Sequence, residues 1–192
     1  MRIFARIRAV RAALAASVLA TVAAGADAAA ITWHVSRAGD ALVIDATALL
    51  RADVASAWRV LTGYDRYPEF IPGLQASRVV ARHGADVVVR QTVDVTLWLF
   101  RAPVDVTYEI TEEPPRRVVS RTVDGCACTL DSAYVLSRDK DEVRLDYRGR
   151  LATGSGVVSW LENAAGERTA MKQFRALADE IEARAPRTHV AQ

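Results

Sequence analysis

The chain has 192 residues, with 25 Lys and Arg against 23 Asp and Glu, for a formal charge of +2. That balance excludes a strongly basic nucleic-acid binder and a disordered polyelectrolyte. Only two cysteines occur, Cys126 and Cys128, which excludes a disulfide scaffold, and the length suffices for one domain with its own core.

Residues 1–28 read as a secretory signal peptide. Arg2, Arg6, Arg8 and Arg11 crowd the start, an apolar Ala-rich run follows over residues 12–24, and Ala26-Asp27-Ala28 supplies a small-x-small site. The run falls short of the roughly 20 apolar residues of a membrane span. The alternative, a buried Ala-rich helix, leaves the four preceding arginines unexplained. No cysteine near the site marks a lipid anchor. Cleavage near Ala28 or Ala30 would remove four Arg and Asp27 and leave the mature chain near −1. The expected location is the periplasm, with no transmembrane segment in the mature form.

The mature chain is strand-rich first and helical last. Residues 31–37 and 41–50 flank Ala38-Gly39-Asp40 and read as a hairpin. Asp53 is a plausible N-cap for a short helix with Val54, Ala57, Trp58 and Leu61 on one face, ended by Gly63. Asp65 is expected to cap a second short turn through Phe70, closed by Pro72-Gly73. Strands follow at 74–82 and 86–100. In the second, Val87, Val89, Gln91, Val93, Val95, Leu97 and Leu99 share one face, and Arg90, Thr92, Asp94 and Thr96 the other. Further strands are expected from 104, at 117–123, at 126–137 and at 143–151, with turns at Pro114-Pro115 and residues 138–141. Such alternation describes an antiparallel sheet with one dry and one wet face.

From about 157 to 185 the period becomes helical. Val157, Leu161, Ala164, Met171, Phe174, Ala178 and Ile181 form the stripe, Gly166 is a weak point and Pro186 stops the run. A long amphipathic helix must bury its stripe, and the dry face of the sheet is the surface available. The fold class is therefore α+β, with two short helices inserted after the first strands and a long C-terminal helix lying across the sheet.

An enzyme needs a nucleophile, base or metal site placed by geometry, and the inventory is thin. His34, His83 and His189 lack ligand spacing. Gly154-Ser155-Gly156 lacks the later Gly and Lys of a phosphate loop. No catalytic residue, metal site or cofactor is expected. Cys126 and Cys128 alternate on one strand, at the upper limit of disulfide reach. They read as small buried thiols, as a strained redox pair if Gly125 introduces a bulge, or as half of a soft-metal site, although two thiols alone make a poor zinc site. Gln91, Tyr108, Tyr134 and Tyr147 are in phase with apolar neighbours. They are either ordinary core residues or the few polar groups of an apolar pocket, with Met171 and Phe174 on its helix side. Arg90, Asp94, Asp105 and Glu109 point outward as a solvated charge face.

The order of elements matches the helix-grip fold, and residues 57–74, AWRVLTGYDRYPEFIPGL, resemble the corresponding stretch of START-like (SRPBCC) proteins. These include the coenzyme Q-binding and polyketide cyclase/dehydrase-like groups, relatives of the birch pollen allergen. Ser77-Arg78-Val79, the strand at Val89-Arg90-Gln91 and the close of the chain at residues 174–184 are similar to the same group. The sequence departs from it at Gly63, where Asp is usual, and at Gly125-Cys126-Ala127-Cys128. The resemblance implies an apolar cavity between sheet and helix, with Phe70, Ile71 and Pro72 at its mouth. The expected partner is a hydrophobic small molecule, such as a lipid, quinone or polycyclic aromatic, bound without turnover. The alternatives are a cyclase or dehydratase using a pocket Tyr, and an envelope protein-interaction module.

Overall fold

The computed structural model describes residues 29–39, 41–97, 100–125, 128–153 and 164–186. Strands β1 (Ala30–Ala38) and β2 (Ala41–Leu50) lead into helix α1 (Val54–Leu61) and a 3-10 helix (Tyr64–Glu69). Strands β3 (Leu74–His83), β4 (Asp86–Leu97), β5 (Phe100–Glu113), β6 (Arg117–Asp124), β7 (Cys128–Asp139) and β8 (Glu142–Thr153) follow, then helix α2 (Ala164–Arg184). The eight strands form one antiparallel sheet in the order β1-β2-β8-β7-β6-β5-β4-β3. The expected α+β helix-grip architecture is the observed one.

Alternation decides which face is dry. Ala46, Ala48 and Leu50 of β2, Val87 and Val89 of β4, Ile110 of β5, Val118 of β6, Leu136 of β7 and Val143 and Leu145 of β8 converge on one core. Phe174, Leu177, Ala178 and Ile181 of α2 enter it at i, i+3, i+4 and i+7. Ala57, Val60 and Leu61 of α1 close the same end. Leu50, Leu61, Leu145 and Ile181 are essentially without solvent contact. Each such side chain contributes about 1.5–3 kcal/mol through burial.

Local signals fix the element ends. Asp53 accepts hydrogen bonds from the Ser56 backbone N–H at 2.8 Å and the Ser56 hydroxyl at 2.7 Å, so it caps α1 as expected. Pro186 follows the end of α2, which runs through Gly166 without a break.

Several boundaries differ from expectation. The run 86–100 is not one strand: β4 stops at Leu97 and Phe100 already belongs to β5, paired with Leu97. In the sequence the apolar run continues from Leu97 to Phe100 with no Gly or Pro to mark a strand end. The turn expected over 138–141 shrinks to Lys140-Asp141, with Lys140 at φ 57. Gly63 does not end α1 by a left-handed step, since its φ is −82; Thr62 caps the helix, its N–H bonding to Trp58 O. Asp65 caps no helix. Its carboxylate accepts the Val79 N–H at 2.9 Å and ties the 3-10 helix to β3. The expected helical stretch 157–163 and Leu99 lie outside the described residues.

Candidate functional site

Strand register places the inner-face residues in rows across the sheet. One row runs Trp33, Ala46, Tyr147, Tyr134, Val118 and Glu112 from β1 to β5. The next runs Ile44, Gly149, Ser132, Ser120 and Ile110. On three adjacent strands this second row carries only a hydrogen or a hydroxymethyl group. By side-chain size the sheet surface is recessed there, beside the aromatic row, and the Tyr147 phenol lies over its Gly149 end.

Tyr108, Tyr134 and Tyr147 border that recess. The rings of Tyr134 and Tyr147 lie 4.7 Å apart, and Tyr147 lies 6.2 Å from Phe174, which packs on Trp33 at the same separation. All three tyrosines are half-buried, while the aliphatic residues around them are fully buried. Ser120 and Ser132 share a hydrogen bond at 2.7 Å.

Burial dominates the electrostatics. Loss of water pushes the Tyr108 and Tyr147 phenols up to about 12; Tyr108 adds to the effect at Tyr147 and a hydrogen bond from Ser132 works against it. Tyr134 is raised well above its ordinary value, first by burial and then by the Tyr147, Tyr67 and Tyr108 phenols around it. These groups stay protonated at any physiological pH. They can donate and accept hydrogen bonds, but they are poor bases.

Aromatic contacts and hydrogen bonds hold the segment between α1 and β3 in place. Tyr67 stacks edge-on with Tyr64 and Phe70 and donates its hydroxyl to Leu61 O at 2.6 Å. Phe70 and Ile71 pack against the core, while Pro72 is exposed. Gln173 of α2 donates to Pro72 O at 3.0 Å, which fastens the loop to the helix.

The expected site residues separate accordingly. Tyr108, Tyr134, Tyr147 and Phe174 surround the recess, and Phe70, Ile71 and Pro72 form the loop against α2. Met171 is half-buried one turn before Phe174. Gln91 lies on the inner face but turns toward β3, donating to Ser77 Oγ at 3.2 Å. Cys126 and the Cys128 side chain lie outside the described residues, and with them the redox-pair reading.

Sequence reasoning missed Ser120, Ser132, Gly149, Trp33 and Glu112. The first three are in phase with Val118, Tyr134 and Tyr147, so strand parity was the available signal. Glu112 is a buried carboxylate at the β5 end of the aromatic row, paired with Arg82 at 3.1 Å. Among the described residues, the buried side-chain polar atoms without a hydrogen-bond partner are Trp33 Nε1, the Tyr64 hydroxyl and Glu112 Oε1. No group of three or more His, Cys, Asp or Glu side chains is placed for a metal among the described residues.

The outer face behaves as the solvated charge face expected. It carries an open groove of about 510 Å³ that includes Arg121, Asp131, Arg148 and Arg150 in its lining. Arg121 is paired with Asp131 at 2.7 Å, and Thr111, Ala133, Ser120 and Ser132 also line the groove. None of the three recess tyrosines lines it. No helix among the described residues is long and apolar enough to cross a membrane.

Residues 50–178 match the polyketide cyclase / dehydrase and lipid transport family. No curated protein sequence matches the chain. Among solved structures, the chain is similar to the Zhui aromatase/cyclase from a Streptomyces species, with 16% identity and a TM-score of 0.66 over 79% of this chain and 99% of that one. It is also similar to a STAR-related lipid transfer protein fragment from Xanthomonas axonopodis, with 17% identity and a TM-score of 0.60 over 78% and 98% of the two chains. A third, Ara h 8.0201, has 12% identity and a TM-score of 0.56 over 74% and 96%. Sheet topology, the helix across it and the match over residues 50–178 agree: the chain belongs to the polyketide cyclase / dehydrase and lipid transport family.

Proposed function

We propose that this protein is an exported carrier that sequesters a hydrophobic small molecule between sheet and α2 without chemical turnover. Residues 1–28 serve as the signal peptide, and the mature chain works in the periplasm. The observation that carries the reading is the trio Tyr108, Tyr134 and Tyr147 around a recess floored by Gly149, Ser132 and Ser120. An apolar site with a few hydroxyls orients a ligand, and burial of apolar area supplies about 25 cal/mol per Å² of the affinity. Catalysis asks for a group whose pKa lies near the working pH, and these phenols are held far above it. Lipids, isoprenoid quinones and polycyclic aromatics all suit such a lining.

The second reading is a cyclase or dehydratase, favoured by the likeness to an aromatase/cyclase. One captured ligand separates the two. Tyr108→Phe, Tyr134→Phe, Tyr147→Phe and Gln91→Leu are compared for binding and for product formation. A carrier shows modest affinity changes and no product with any form. Conversion by the wild type, abolished by a single Tyr→Phe change while binding survives, replaces the carrier with the cyclase.

A further inference from the structure

Tyr147 lies along β8 above its neighbour two residues on. A Cβ at Gly149 would stand 2.4 Å from the Tyr147 hydroxyl oxygen and 2.9 Å from its Cζ, closer than any real contact. Gly149 is not among the glycines with positive φ, so the backbone there does not require glycine. Glycine in a strand interior weakens the strand, and what it provides at this position is space. The row of small residues continues across Ser132, directly opposite on β7, to Ser120 on β6. The phenol of Tyr147 thus covers Gly149 and reaches its hydrogen-bond partner Ser132 within the recess that these small residues form.

We infer that Tyr147 is the size-selecting residue of this site: its ring occupies one ring's worth of the recess and so limits the planar body a ligand can present. The inference rests on the small-molecule reading above. A dry apolar cavity of roughly 150 Å³ is enough to take up benzene, so removal of the phenol opens room on the scale of one more aromatic ring. Gly149→Ala acts in the opposite sense. The clash falls on the far end of a flexible side chain, so the phenol lifts off the floor and into the ligand's space.

The test uses fluorescence titration of the protein with two neutral probes, N-phenylnaphthylamine and the larger, planar pyrene. Tyr147→Ala is expected to raise affinity for pyrene relative to N-phenylnaphthylamine by about tenfold or more. Gly149→Ala is expected to weaken both probes by about tenfold. The double variant, Gly149→Ala with Tyr147→Ala, is expected to recover N-phenylnaphthylamine binding, since no ring remains to be displaced. That recovery also excludes simple unfolding by the added methyl group, because both variants carry it. An unchanged probe preference in Tyr147→Ala, or a Gly149→Ala loss that the double variant does not rescue, overturns the inference and leaves the carrier reading standing. Failure of the wild type to bind either probe overturns the carrier reading and the inference with it.

Discussion

Gln173 on α2 donates its side-chain N–H to the carbonyl oxygen of Pro72, 3.0 Å away in the loop that precedes β3. The bond joins two segments 101 residues apart and fastens the loop before β3 to the helix that covers the sheet. It is exposed, and a net hydrogen bond of this kind contributes only about 0.5–1.5 kcal/mol. Gln173→Ala is therefore expected to lower stability by about 1 kcal/mol or less, yet to speed ligand release several-fold. Stopped-flow displacement of a bound fluorescent probe measures it. A release rate equal to that of the wild type contradicts a latch.

Phe174 meets Trp33 and Tyr147 at 6.2 Å on either side and is 4% exposed. Phe174→Ala is expected to destabilise the protein by about 3–5 kcal/mol, the range for a packed aromatic side chain. Urea unfolding measures it. A loss below about 1 kcal/mol would mean that Phe174 lines open space.

Asp53 gives stability a pH dependence with a defined sign. Hydrogen bonds from Ser56 hold its carboxyl below the ordinary value. A depressed carboxylate stabilises the fold above its unfolded pKa, about 3.9, and the contribution is lost as pH falls through the folded value. Asp53→Ala should cost about 0.5–2 kcal/mol near neutrality. The difference between wild type and variant should shrink as the pH is lowered from about 4. A difference that stays constant through that window contradicts the charged cap.

Glu112 tests which of two effects dominates at a buried carboxylate. Breaking a buried ion pair typically costs about 3–5 kcal/mol, because a charge is left stranded. Here the partner Arg82 is 45% exposed, so water can solvate it once the pair is gone. The Tyr64 hydroxyl also interacts with the Glu112 carboxylate, and an amide oxygen in its place can still accept from it. Glu112→Gln is accordingly expected to change stability by less than about 1 kcal/mol in either direction. Thermal unfolding at neutral pH decides, and a loss in the 3–5 kcal/mol range would show that the carboxylate is needed where it sits.

Much of this architecture was legible in the residues because alternation is a local signal. The eight strands, the N-cap at Asp53 and the inward stripe of Phe174, Ala178 and Ile181 follow from period and capping chemistry alone. The reversal between Leu97 and Phe100 was not legible, since the alternation there carries no turn residue. Asp65 was misread for a different reason: its partner, the Val79 N–H, comes from β3 and becomes available only when the chain has folded. The site was half legible. Tyr108, Tyr134 and Tyr147 announce themselves as polar groups in an apolar phase. Gly149, Ser132 and Ser120 do not, because small residues gain meaning as a floor only when three strands are brought into register.

The most direct test of the central claim is native mass spectrometry of the protein purified from the envelope of the cells that make it. The account predicts a polypeptide beginning near Ala29 or Ile31, carrying a noncovalent hydrophobic small molecule that dissociates intact on activation. A polypeptide that retains Met1 or Arg2, with no bound molecule at any activation energy, would contradict both the export and the carrier role.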